Sequence, residues 1–320
     1  MVAVPICLKS LQNQRRSLHS LNFTPINSTI MKRTWFVFIA FFLFFGFPAH
    51  SQNRIDKKLQ QKLISMAKNH NGKVGFYIKN LKSGKVAMYN ADSIFPTASI
   101  VKLPILVGVM DKVEKGELKY NQELIYKDSL YYAGVDILGS FKENEKIELS
   151  KVIMLMLTMS DNTASLWLQS LAGGGAQINK LMEAQGLQQF FVNSRTPGRE
   201  ANRQQYGWGQ TTPREAATLF ERLVNGQVIN KQASEKMLRL LSRNYWDENA
   251  LSSIPAGVFV ASKNGAVNAS RSEVMFVNGK KAPYIFAFFT NENKDQSWRP
   301  DNEALKMLRD VSAEVWNRYN

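Results

Sequence analysis

The chain has 320 residues, with 41 Lys and Arg against 26 Asp and Glu, three histidines and one cysteine. One cysteine excludes an internal disulfide, and too few His and Cys remain for a zinc site, so neither a metal nor an organic cofactor is expected. The +15 net charge favours an anionic neighbour, but the basic residues are spread along the chain without a zinc-finger or RNA-binding signature, so no nucleic-acid partner is expected.

Residues 31–51 read MKRTWFVFIAFFLFFGFPAHS. Lys32 and Arg33 precede an apolar run from Trp35 to Phe47, Pro48 breaks it, and Ala49-His50-Ser51 supplies small residues where a signal peptidase cuts. The run falls short of the roughly 20 apolar residues of a membrane span. It reads as a secretory signal, with a short retained anchor as the alternative. Met31 reads as the start, and residues 1–30 as upstream sequence of an extended reading frame. The expected product is exported to the periplasm or beyond, with no stable membrane insertion after cleavage.

Residues 52–320 then carry the fold. The leader holds five basic and no acidic residues, so +10 remains of the +15. Cys7, His19 and His50 leave with it, which removes any thiol nucleophile and leaves His70 alone in a polar Lys68-Asn69-His70-Asn71 stretch. His70 reads as a solvated residue at a helix end.

Ile55, Leu59, Leu63, Ile64 and Met66 recur at helical spacing. Two β-like runs flank Lys82-Ser83-Gly84 as a hairpin. A turn with Pro96 leads into an apolar helix beginning near Ser99, with Pro104 close enough to its start to be tolerated. Residues 120–148 are mixed and polar. An apolar helix over 151–159 stops at Ser160-Asp161-Asn162. Helices follow over 163–170 and 176–185, separated by the Ala172-Gly173-Gly174-Gly175 break. Residues 191–212 show no period and read as a long loop. Thr212 and Pro213 are an N-cap and first helical position for a helix to Leu223, and another helix spans 231–243. Three strands, GVFVASKNGAV, SEVMFVN and PYIFAFFTN, precede a last helix over 301–318. This order predicts an α+β fold: an antiparallel sheet flanked by terminal helices, with an inserted all-α subdomain. The α/β part covers about 52–95 and 213–320, the all-α part about 96–212.

Three short patterns carry chemistry. Ser99-Ile100-Val101-Lys102 at a helix start puts a hydroxyl and an amine on one face. A desolvated lysine can lose its proton and act as base toward the hydroxyl. Ser160-Asp161-Asn162 on a tight turn offers a proton relay and an amide, or simply a helix cap. Ser262-Lys263-Asn264-Gly265 on a strand offers positive charge and open backbone, or simply a turn.

In this order and context, S-x-x-K, then S-D-N within Met159-Ser160-Asp161-Asn162-Thr163-Ala164, then K-x-G, the chain resembles the class A β-lactamases and penicillin-binding-type serine hydrolases over its whole mature length. The segment Gly207-Trp208-Gly209-Gln210-Thr211-Thr212-Pro213 is similar to the family's exit from its active-site loop. The resemblance implies a β-lactamase/transpeptidase-like fold with the site between its two parts. It implies Ser99 as the acylated nucleophile, Lys102 as its activator, Ser160 as proton relay to the leaving nitrogen and Asn162 as holder of the substrate amide. Lys263 would attract the substrate carboxylate, and the backbone N–H groups of Ser99 and Ala266, beside Gly265, would form the oxyanion hole.

The chain departs from the pattern twice. Asn264 replaces the family's threonine, which implies altered substrate preference. In Asn193-Ser194-Arg195-Thr196-Pro197-Gly198-Arg199-Glu200-Ala201-Asn202, Glu200 is the candidate activator of the deacylating water, and its alternative is a solvated carboxylate paired with Arg199. Arg271 is a candidate for binding a substrate carboxylate, or a surface residue. The reading is a secreted monomeric serine β-lactamase acting on a small β-lactam or D-Ala-containing substrate. The alternatives are a slowly deacylating hydrolase, esterase or D-Ala-D-Ala peptidase of the same fold, and a non-catalytic penicillin sensor.

Overall fold

The computed structural model describes residues 54–320, so the leader and its cleavage lie outside the described residues. Asp56 caps helix α1 (Lys57–Lys68) by accepting from the Leu59 N–H, and Leu59, Leu63 and Ala67 form its buried stripe. The hairpin follows as β1 (Lys73–Asn80) and β2 (Val86–Tyr89). After the short β3 (Phe95–Pro96), a 3-10 turn over Ala98–Val101 runs into α2 (Lys102–Glu114). Every residue of α2 from Lys102 to Asp111 is buried, which makes it the central helix of the molecule.

The polar stretch then forms only the ribbon of β4 (Glu123–Ile125) and β5 (Lys146–Glu148) with two 3-10 turns. The apolar helix is α3 (Leu149–Met154), continued by a π-helical turn over Leu155–Met159. Helices α4 (Asn162–Leu171) and α5 (Gly174–Ala184) complete the helical block against α2.

The expectation of a structureless 191–212 needs correction. β6 (Phe191–Val192), α6 (Glu200–Tyr206) and β7 (Gly209–Thr211) lie within it. Helix α6 buries none of its seven residues, so it has no apolar stripe to betray it. Helix α7 (Pro213–Val224) starts as expected, Thr212 accepting from the Glu215 N–H, and α8 (Lys231–Leu241) follows. The chain closes with β8 (Val260–Val267), β9 (Ser270–Val277), β10 (Tyr284–Asn291) and α9 (Glu303–Tyr319).

The main sheet runs β2-β1-β10-β9-β8, antiparallel at each pairing, with β8 at its edge. Alternate residues of β10 enter two cores. Phe286 and Phe288 pack with Leu59 and Leu63 of α1 and Leu308 and Val311 of α9, whereas Ile285, Ala287 and Phe289 join the core shared with α2 and α7. Covering both faces explains why the last strands read as continuous apolar runs.

His70 also needs correction. It is only 8% exposed, its Nε2 lies 2.8 Å from Asn293 Oδ1, and its Nδ1 lies 3.3 Å from Glu303. It ties the end of α1 to the start of α9 instead of facing solvent.

Candidate active site

Ser99 sits half-buried in the 3-10 turn, and Lys102 opens α2 one turn on. The i, i+3 spacing aligns them, with Lys102 Nζ 2.9 Å from Ser99 Oγ. The π turn ends at Ser160 in the left-handed region (φ 61°). That conformation turns the Ser160 carbonyl and hydroxyl toward the lysine, at 2.6 and 3.0 Å from Nζ. Asn162 Oδ1 completes the shell at 3.1 Å. Four oxygen atoms therefore converge on one amine that is fully buried.

Asp161 holds this turn in place. Its Oδ1 caps α4 by accepting from the Ala164 N–H at 2.7 Å. Its Oδ2 accepts from the N–H groups of Ile137 and Leu138, at 2.5 and 3.0 Å, and the Asn162 N–H donates to the Val135 carbonyl at 2.8 Å. The middle residue of the motif thus fastens the 135–138 segment, which forms a rim of the cleft.

The third motif meets the first by close backbone approach. A Cβ on Gly265 would lie 2.3 Å from the Thr97 carbonyl oxygen and 3.1 Å from the Ser99 nitrogen, so only glycine lets the edge strand come this near. Lys263 is fully buried, and its Nζ donates to the Asn264 carbonyl at 2.9 Å and Oδ1 at 3.2 Å. Burial and the like charge of Lys263 hold the Lys102 amine well below the usual lysine range, against the opposing pull of Asp161. Burial also lowers Lys263, partly offset by Glu273. Glu273, the register partner of Asn264, is fully buried and raised by that burial, and its Oε2 accepts from the Ala250 N–H. Sequence reasoning missed Glu273 because one acid in an apolar strand ordinarily marks a solvent face.

Two chambers share Ser99, Val135 and Ala266 as their common wall. One, of about 370 Å³, adds Asn162, Gln205, Tyr206 and Trp208. The other, of about 260 Å³, adds Ser160, Asn264, Trp246, Arg271, Trp298 and the carboxylate Glu248. Ser99, Ser160, Asn162, Asn264 and Ala266 are thus brought to one cleft, with Lys102 beneath it. Sequence reasoning quoted Trp208 only within a motif and missed Trp246 and Trp298. Aromatic residues in irregular segments were the only signal.

Glu200 is not brought there. It begins α6, is exposed, accepts from the Gly198 N–H at 3.1 Å, and lines a separate hollow with Arg195, Thr196 and Arg203. Its expected partner Arg199 instead donates to Asn193 and Gln210 and stacks over Phe191. Arg271 reaches the cleft wall at 1% exposure, but its guanidinium donates to the carbonyls of Val267, Asn268, Ser270 and Ser297. Among the described residues, no group of three or more His, Cys, Asp or Glu side chains could hold a metal ion.

This architecture recurs in solved structures. A point mutant of PBP-A, in an acyl-enzyme complex with penicillin G, superposes with a TM-score of 0.74 at 24% identity over 83% of this chain and 98% of that one. A β-lactamase from Sphaerobacter thermophilus gives a TM-score of 0.74 at 21% identity, over 82% of this chain and 98% of that one. Among curated proteins, the β-lactamase VEB-1 of Pseudomonas aeruginosa is 23% identical over 302 residues, 91% of this chain and 98% of that protein. The β-lactamase SME-1 of Serratia marcescens is 24% identical over 297 residues, 88% and 97% of the two. The profile of the β-lactamase enzyme family matches residues 56–319, and the chain belongs to that family of serine hydrolases.

Proposed function

We propose that the protein is a serine hydrolase that takes the acyl group of a β-lactam or acyl-D-Ala substrate onto Ser99 and releases it slowly. The observation that carries this reading is the buried Lys102 amine, 2.9 Å from Ser99 Oγ and 3.0 Å from Ser160 Oγ.

Desolvation and the Lys263 charge favour a neutral amine, which is the form able to take a proton. Lys102 removes the Ser99 proton as Oγ attacks the substrate carbonyl. The backbone N–H groups of Ser99 and Ala266 receive the oxyanion, a donor pair in which each member is worth about 3 kcal/mol. As the C–N bond breaks, the Ser160 hydroxyl gives its proton to the leaving nitrogen and regains one from the Lys102 ammonium. The acyl group stays on Ser99.

Release needs a base for water. Among the described residues lining the chamber shared by Ser99 and Asn162, none is a carboxylate, Glu200 lies outside it, and Glu248 lines only the chamber on the Ser160 side. That asymmetry supports acylation outrunning hydrolysis. A second reading, sustained β-lactam hydrolysis, is favoured by the curated relatives, which are β-lactamases. The leader-like residues 31–51 support export of this chemistry.

The test is labelling with a fluorescent penicillin, followed by loss of label. The proposal expects stoichiometric labelling that is abolished in Ser99→Ala and a label that persists for many minutes. A protein that neither carries label nor consumes the penicillin would refute acylation, and penicillin consumed with label lost as fast as it forms would favour the second reading.

A further inference from the structure

The two chambers divide the substrate at Ser99. Asn162, the amide holder, lines one, and Ser160, the proton donor to the departing atom, lines the other. The second therefore receives whatever leaves with the Ser160 proton. Its wall contains Trp298, a ring 64% exposed.

That ring is nonetheless fixed. The Arg271 guanidinium stacks on it at 4.2 Å from the centroid, and its Nε1–H donates to Asn268 Oδ1 at 3.1 Å. Arg271 is itself immobilised by the carbonyls of Val267, Asn268, Ser270 and Ser297. Its Nε–H has no partner, but the planar group spends its remaining donors on backbone and its face on the indole. Trp246 stands in the same chamber, held by its Nε1–H bond to the Met159 carbonyl at 2.9 Å, directly before Ser160. Two indoles pinned at their N–H ends, one backed by a guanidinium plane, give this chamber, which Glu248 and Asn249 also line, two preorganised aromatic faces for which little ordering entropy remains to be lost.

We infer that this chamber is a leaving-group subsite selecting a flat aromatic departing group, with Trp298 as its platform and Arg271 as the positioning residue that holds the platform. The inference rests on the acyl-enzyme reading and adds the class of substrate: acyl compounds whose departing amine or hydroxy acid carries an aryl ring. It also replaces carboxylate binding as the role of Arg271.

The test uses the full chain and two esters with one acyl group, departing as 3-phenyllactate or as lactate. These leaving groups match in acidity and differ only in the ring. The expected kcat/KM favours the phenyllactate ester by about tenfold or more, expressed mainly in KM. Trp298→Ala collapses the preference to within about twofold, and Trp298→Phe, which restores a flat face, regains most of it. Arg271→Lys keeps the charge but loses the stacking plane, and it lowers the preference as Trp298→Ala does. Equal rates for the two esters in the unaltered protein overturn the subsite. A preference that survives Trp298→Ala overturns the platform. An Arg271→Lys variant that slows both esters equally returns Arg271 to carboxylate binding. Penicillin labelling of Ser99 in the same preparation is scored separately, because its absence defeats the acyl-enzyme reading beneath this one.

Discussion

Two regions border the same cleft and are built differently. Around Ser99, the first and second motifs interlock: Lys102 contacts Ser99, both Ser160 oxygens and Asn162, and Asp161 ties their turn to the 135–138 rim. Across the cleft, the 193–208 segment offers Gln205, Tyr206 and Trp208, while its one carboxylate, Glu200, accepts from the Gly198 N–H just before its own helix and lines a different hollow. The first region gathers preorganised charge around Ser99, and the second brings no carboxylate to the chamber it lines, so on the proposed reading forming and breaking the acyl bond are separate structural problems.

The comparison breaks most sharply at Lys102. Lys102→Met removes the base and the hub of four contacts, and β-lactam labelling should slow by about 10³-fold or more, with the melting curve checked for folding. Gly265→Ala comes next. The added methyl meets the Thr97 carbonyl 2.3 Å away and pushes the edge strand from Ser99, so acylation should fall by about 100-fold, read from labelling rates. Asp161→Ala removes the acceptor for three backbone N–H groups and should cost about 2–3 kcal/mol in denaturant unfolding.

Charge sharpens the comparison further. The Lys263 charge is one of the causes that lower Lys102. Replacing Lys263 by Met removes that repulsion, favours the Lys102 ammonium and raises its pKa. The neutral amine then forms only at higher pH, so the acid limb of the acylation rate profile should move upward. An unmoved limb would mean that burial alone sets it. The smallest effect belongs to Glu200→Gln, which should change labelling and label lifetime by no more than about twofold, as for other surface substitutions.

Much of this was legible in the sequence because the informative features are local. Helix starts such as Thr212-Pro213, the hairpin at Lys82-Ser83-Gly84, and the spacing of Ser99 and Lys102 need only a few neighbouring residues. What escaped depends on distant partners. His70 lies against Asn293 and Glu303, both far away in the chain. Helix α6 has no apolar period to detect. Glu273 looks like a polar strand position until α9 and its neighbours cover that face. Trp298 gains its role from Arg271, which is 27 positions earlier and itself needs four carbonyls to hold it. Glu200 marks the opposite limit: a residue type in a plausible place, which the fold turns to another hollow.

The most direct test of the central claim is the time course of a chromogenic cephalosporin mixed with the protein, with the intact mass recorded alongside. The account predicts a burst of one equivalent, an adduct on Ser99, and a slow linear phase that Glu200→Gln leaves in place. Sustained turnover with no burst, slowed to a single equivalent by Glu200→Gln, would contradict it.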